Sequence, residues 1–303
     1  MTIETFADEV ITLLQERFPN VFGTAEFQIS RVNKPGNVIL TGISIRLNNA
    51  VEIAPVYYVN GFMENGKTAW DMASDIAGRI ENDSSVSAPI GSAFLTNWTL
   101  TSQSIVPRLI DSRRGRNDDY LKDRVKTRLT SGIAVIYDIT VPNIAEGALA
   151  SIPVTRDLMR MWEVSPRQIH EAAIKNGPRI RPVKLDSLGH VMAEMMDLPF
   201  EPDEPDIDVL TNHYSQFGSA VILYPGVKDM LDKKYGLQGY YILPSSVHEL
   251  LITPKKNDIP VNELLEMVMQ VNDTEVSAED LLADDVFELS ADGKLASATE
   301  GRR

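Results

Sequence analysis

Two strand-like runs, AEFQISRV (25–32) and NVILTGISIRL (37–47), flank the turn Lys34-Pro35-Gly36-Asn37. Proline presets φ, while glycine and asparagine tolerate the left-handed conformations of a tight reversal, so the two runs are predicted to pair as an antiparallel hairpin. That hairpin constrains everything beside it, because an antiparallel sheet has one face to bury and needs a helix to cover it. The helix is at hand: over residues 3–18, Phe6, Val10, Leu13, Leu14 and Phe18 recur at helical spacing. VEIAPVYYVN (51–60) extends the meander by a third strand.

The same alternation of clusters continues along the chain. Residues 68–81 are predicted helical, with Trp70, Ala73, Ile76, Ala77 and Ile80 facing inward, and the small, polar segment 81–93 is predicted to be a loop. GIAVIYDITV (132–141) reads as a strand. SIPVTRDLMRMW (151–162) reads as a short helix, and SPRQIHEAAIKN (165–176) as a longer one with Ser165 as N-cap and Pro166 at its first position. LGHVMAEMM (188–196) reads as a helix whose Met192, Met195 and Met196 serve core packing. An acidic, proline-rich connector (197–208) follows, then a short strand VLTN, a segment GSAVIL of either type, a Tyr-Pro-Gly bend and a helix. YYILP (240–244) and ELLITP (249–254) read as adjacent strands, VNELLEMVMQVN (261–272) and SAEDLLADDVF (277–287) as helices, and the chain past Gly293 as a frayed tail. Helices and antiparallel strands in clusters predict an α+β protein of two lobes, each a mainly antiparallel sheet covered by helices. The lobes span residues 1–147 and 148–289, joined near 145–150, with a flexible tail over 290–303.

Composition narrows the function classes. With 303 residues, 43% apolar and 24% charged, the chain can bury a sizeable core. Its formal charge of -14 repels nucleic acid and anionic membrane surfaces. It contains no cysteine, which excludes disulfides, thiol catalysis and thiolate metal sites. The acids of residues 1–18 do not suit a secretory leader, and no apolar run reaches spanning length. These features together predict a cytoplasmic protein.

Four motifs carry chemistry in principle. GFMENGKT (61–68) matches a phosphate-binding loop letter for letter, and AVIYD, ending at Asp138, offers a magnesium-associated acid. Against it stand the bulky Phe62 and Met63, the charge of Glu64, and the antiparallel setting, where nucleotide loops grow from parallel sheets. PSSVHE (244–249) holds Ser245, Ser246, His248 and Glu249 between two apolar runs. A catalytic triad needs the imidazole on the serine oxygen and the carboxylate on its other nitrogen, which near neighbours in a chain rarely reach. The spacing of Ser246 and Glu249 is that of a capping box, so a single helical turn joining two strands is predicted, with its edge available to a ligand. The four histidines, His170, His190, His213 and His248, lack metal-ligand spacing, so no metal and no cofactor is expected.

The fourth motif is basic. Arg108, Arg113, Arg114, Arg116, Lys122, Arg124, Lys126 and Arg128 hold eight of the 29 cationic residues in an acidic chain. Leu121, Val125 and Leu129 would anchor this segment as a helix with charges outward. Such a face can dock an acidic partner, a phosphate-bearing ligand, or the protein's own acidic C-terminal region.

IVPRLI, ASIPVTRDLMRMW, LYPG (223–226), YYILPSSVHELLITP and VNDTEVSAEDLLADDVF, in this order and spacing, resemble a bacterial family of unknown function, frequent in Gram-positive gut bacteria and their mobile elements. The likeness runs from the first helix to about Leu289. The C-terminal half is also similar, more distantly, to a second uncharacterised family of bacilli, in which the turn matching Ser245 to Glu249 lacks the serines. The resemblance supplies no catalytic residues. The reading is therefore a non-catalytic protein-interaction or regulatory module that binds another protein through Arg113, Arg114, Arg116, Arg124 and Arg128 or through the sheet edge near Ser245, Ser246, His248 and Glu249. The alternative is a hydrolase or phosphate-ligand enzyme using the PSSVHE turn or Lys67.

Overall fold

The structure is a computed structural model that describes residues 1–47, 54–82, 92–141, 151–196, 207–236, 239–244 and 246–299. The loop expected over 81–93 lies mostly outside these residues, as do most of the acidic connector and the lobe junction near 145–150.

The N-terminal body forms as its residue pattern dictates. Helix α1 (Ile3–Arg17) is capped by the Thr2 hydroxyl, which accepts from the Thr5 amide, and buries Phe6, Ala7, Val10 and Leu14. Strands β1 (Glu26–Asn33), β2 (Ile39–Arg46) and β3 (Val56–Tyr58) make an antiparallel meander, with β1 and β2 in register from Glu26–Arg46 to Asn33–Ile39. After α3 (Asn60–Glu64), helix α4 (Ala69–Asn82) adds Ala69, Met72, Ala73, Ile76 and Ala77 to the same core. Each large side chain so buried contributes about 1.5–3 kcal/mol. Trp70 departs from expectation: it is 48% exposed and stacks on Phe18 at 6.0 Å, while Met72 takes the inward position. The hairpin tip is also a joint. Gly36 has φ 71°, its amide donates to Asn117 Oδ1 at 2.7 Å, and a Cβ there would lie 2.2 Å from the Ala278 carbonyl oxygen.

The remaining strands form two further antiparallel sheets. In one, β6 (Ile133–Thr140) lies between β4 (Ile105–Asp111) and the pair β5 (Lys126–Arg128) and β7 (Ser151–Pro153). Helix α9 (Pro166–Ile180) packs on β4, held by Asn176 Nδ2 donating to the Ser102 and Ile105 carbonyls. Its start is as predicted, a capping box in which Ser165 and Gln168 satisfy each other's amides. In the other, six strands run in the order β13-β12-β10-β11-β9-β8. These are β8 (Val183–Ser187), β9 (Asp208–Asn212), β10 (Tyr240–Leu243), β11 (Leu250–Pro254), β12 (Phe287–Leu289) and β13 (Leu295–Ser297). YYILP and ELLITP thus pair as expected, Tyr240 opposite Pro254 and Leu243 opposite Leu251. One hydrophobic core serves both sheets, joining Ile105, Leu109 and Val135 to Leu210, Ile242 and Ile252. The architecture is α+β, built on antiparallel sheets with helices against them.

Four segments differ from expectation. The basic stretch is not a helix: a single turn, α7 (Asp118–Leu121), leads into β5, because the backbone at 126–128 pairs with β6. SAEDLLADDVF turns once at 278–280 and then leaves the helical path, since the Ala283 amide donates to the Pro244 carbonyl and the Val247 amide to that of Asp280. The methionines of α10 (Leu188–Met196) face outward, with Met192, Met195 and Met196 between 49% and 82% exposed. Past Gly293, read from the sequence as a tail, Leu295 pairs with Leu289 and Ser297 with Phe287.

Candidate functional site

The PSSVHE turn is assembled from three distant segments. Ser245 lies outside the described residues. Ser246 is 6% exposed and its hydroxyl accepts the His248 amide at 2.9 Å, so the turn closes over two residues and no capping box forms. The His248 carbonyl accepts from the Gly218 amide and the Thr211 hydroxyl, an approach so close that a Cβ on Gly218 would sit 2.5 Å from that oxygen.

The imidazole is committed on both sides. His248 Nδ1 accepts from the Phe217 amide at 3.2 Å, which assigns the proton to Nε2, and Nε2 donates to Asp280 Oδ1 at 3.0 Å. Neither nitrogen remains for the Ser246 oxygen. The His248 hydrogen bond, working against burial, holds the Asp280 carboxyl below its ordinary value of 3.8. Burial pushes Glu249 above 4.5, although a hydrogen bond with Ser246 works in the opposite direction. Phe217 takes the left-handed conformation, φ 51°, a strained geometry for an aromatic residue. Its ring stacks with His248 at 5.2 Å, and the Arg108 guanidinium lies 3.7 Å from its centre.

Arg108 leads to the least expected feature of the molecule. Two charges inside apolar strands, Arg108 in β4 and Asp138 in β6, face each other across the sheet: Arg108 Nη1 is 4.0 Å from Asp138 Oδ2. Arg124 Nη1 reaches Asp138 Oδ1 at 3.9 Å. Asp138, considered from the sequence as a magnesium-associated acid, therefore faces arginines. A third arginine, Arg181 at the end of α9, is 1% exposed. Its Nε, Nη1 and Nη2 all lack a hydrogen-bond partner among the described residues, as do Arg108 Nε, Arg124 Nη1 and Asp138 Oδ2.

The basic stretch is thus divided. Arg108 and Arg124 turn inward. Arg113 donates to both Asp111 oxygens and to Asp284 Oδ2 at 3.0 Å, and Arg116 Nη2 stands 3.7 Å from that same oxygen. Two of the five arginines singled out in the sequence are therefore engaged by the chain's own C-terminal acids. Arg114, Lys122, Lys126 and Arg128 are exposed and make no ion pair among the described residues.

The phosphate-loop match fails on geometry. Residues 60–64 wind into α3, and the Asp71 carboxylate accepts from the Thr68 amide and hydroxyl, both at 2.7 Å, at the entrance to α4. A protein carboxylate therefore stands where a phosphate would dock. The cleft beside it, about 600 Å³, is lined by Glu64, Asp71, Asp75 and Glu279 against Lys67 and Arg79. That balance of charge opposes an anion.

Among the described residues, one group with metal-ligand chemistry has no mark in the sequence spacing. Donor atoms of Asp186, His190 and Glu194 lie within 4.8 Å of one another across the β8–α10 junction. The Lys184 ammonium is 3.7 Å from Asp186 and 3.9 Å from Glu194, and His190 Nδ1 is 2.9 Å from Asp186. A cation entering here would displace these pairings. Among the described residues, no helix is long and apolar enough to cross a membrane.

A family model of unknown function, DUF5688, matches residues 3–290, nearly the whole chain. The chain belongs to that family. No curated protein and no solved structure matches it. The DUF5688 match covers both the inward arginines and the PSSVHE turn, so the sites described above lie within the family's own domain.

Proposed function

We propose that this DUF5688 protein is a non-catalytic interaction or regulatory module, working in the cytoplasm of a bacterium or for its mobile elements, that binds an acidic segment of another protein. The observation that carries the reading is the outward face of Arg114, Lys122, Lys126 and Arg128: four exposed cations that make no ion pair among the described residues, in a chain of net charge -14. Cations left unpaired on an acidic body concentrate a positive field that attracts and orients an acidic partner. Lys126 and Arg128 are the first and last residues of the short edge strand β5, so that field lies on a sheet edge. The reading gains support from the two motifs that suggest enzymes: His248 has no free ring nitrogen, and the α4 entrance is filled by Asp71.

The test is affinity capture with the full chain and with a variant in which Arg114, Lys122, Lys126 and Arg128 are all glutamate. A partner held by the native chain, released by moderate salt and lost by the variant is the expected result. Equal recovery by both chains, or partners that bind regardless of salt, would overturn the reading.

A further inference from the structure

We propose that Arg108, Arg124 and Arg181 form, with Asp138, an internal receptor for a tetrahedral oxyanion, namely phosphate or the terminal phosphate of a small ester. The proposal is independent of the exposed face considered above, because none of its residues belongs to that face. It starts from Arg181. A guanidinium remains charged under all ordinary conditions, and 1% exposure removes it from water. A buried charge is tolerated only when it is paired and hydrogen-bonded. Yet all three nitrogens of Arg181 lack a partner among the described residues, and Asp138, the carboxylate acting most strongly on it, is shared with Arg108 and Arg124.

Charge selects the ligand. Asp138 is shared by three guanidiniums, and Asp280 and Glu279 act on Arg108 and not on Arg124 or Arg181, so an oxyanion is what offsets the remaining buried positive charge, whereas a water molecule leaves it in place. Geometry agrees. Arg108 and Arg124 stand 3.9 to 4.0 Å from Asp138, too far for hydrogen bonds, and Arg108 Nε and Arg124 Nη1 have no acceptor. Planar guanidinium forks suit the oxygens of a tetrahedral anion, and several of them suit phosphate better than any single lysine could. The aromatic setting holds the forks in place: Arg108 stacks on Phe217 at 3.7 Å, and Arg124 lies 4.4 Å from the centre of the Tyr120 ring. Access lies on the side of Arg124 and Arg108, whose side chains retain 16% and 10% exposure.

The test titrates inorganic phosphate into the full chain at constant ionic strength balanced with chloride, following the thermal midpoint and the phosphorus NMR line width. Binding to the folded state alone raises the midpoint in a saturable way, by about 2 °C or more once phosphate is a hundredfold above its dissociation constant. The shift should vanish in Arg181→Met and in the rim variant Arg124→Met, which keeps the falsifying power if the first variant does not fold. Glycerol phosphate run in parallel separates the sources: a larger shift than that of free phosphate points to an ester, an equal one to phosphate itself. A native chain whose midpoint is the same in phosphate and chloride, with an unbroadened phosphorus line, overturns the proposal. So does an Arg181→Met chain that responds as the native one does.

Discussion

Arg113 and Arg181 are the same side chain in opposite circumstances. Arg113, about one-third exposed, donates along its edge to both oxygens of Asp111 and reaches Asp284 as well. Arg181, almost completely buried, donates to nothing among the described residues. The hydrogen bond to Asp111, opposing burial, raises the Arg113 guanidinium above its ordinary value, while burial lowers that of Arg181. The contrast separates two uses of a cation. One fastens the 111–116 loop to the C-terminal acids, and the other keeps its donors unspent inside the protein.

The largest effect should come from the carboxylate at the centre of the inner group. Asp138→Ala removes a 3% exposed acid and leaves the arginines around it uncompensated, a change that costs about 3–5 kcal/mol when one partner of a buried pair is deleted. Urea unfolding in phosphate-free buffer measures it. A loss below about 1 kcal/mol, the scale of an exposed pair, would mean that the inner arginines do not depend on Asp138, and the comparison would collapse.

Arg113→Met should cost about 1.5–3 kcal/mol, the scale of a hydrogen-bonded charge pair, because the buried Asp111 loses its guanidinium donors and keeps only the backbone amide of residue 113. Arg181→Met should behave in the opposite sense. Replacing a buried, unpartnered charge by an apolar side chain of similar length is neutral or stabilising by about 1–4 kcal/mol in phosphate-free buffer. If the two methionine variants destabilise equally, the distinction between a spent and an unspent arginine is wrong.

Acid sharpens the same comparison. Burial pushes the Asp284 carboxyl up, but hydrogen bonds from Asn272 and Arg113 outweigh it and hold the group below its ordinary 3.8. A depressed folded value contributes stability that is present above the unfolded value and lost as pH falls through the folded one. Asp280 has the same sign. Glu249 has the other: its raised value costs stability above it and relieves that cost on acidification. Arg113→Met should therefore flatten the loss of stability below pH 3.8, whereas Arg181→Met should leave that limb unchanged. Urea midpoints collected across the acid range decide between them.

The sequence reveals local devices well. The β1–β2 hairpin, the Ser165 capping box and the pairing of YYILP with ELLITP depend on turn chemistry and alternation within a dozen residues or so. It reveals charge but not direction. Arg108, Arg113, Arg114 and Arg124 look alike in a row, and what divides them is the position of Asp138, Asp111 and Asp284 after the sheets have formed. SAEDLLADDVF shows the same limit: its helical period is real, but Leu282, Ala283 and Val286 are buried by a chain that pairs with the PSSVHE turn instead. One signal is readable, since Arg108 within IVPRLID and Asp138 within IAVIYDIT contradict a buried strand unless they meet. Arg181 had no such mark, because only the fold brings the end of α9 to β4 and β6.

The smallest effect belongs to the exposed cations, and it is the control on which the comparison rests. Arg114→Ala and Lys126→Ala remove side chains that touch no carboxylate among the described residues, so each should shift stability by no more than about 0.5 kcal/mol. Both should also leave any phosphate-dependent midpoint shift intact, since neither residue reaches the inner group. A measurable loss of stability in either variant would show that the outer face is already used within the fold. It would then have no claim on a partner, and the arginines of this stretch would divide into two structural classes rather than one structural and one functional.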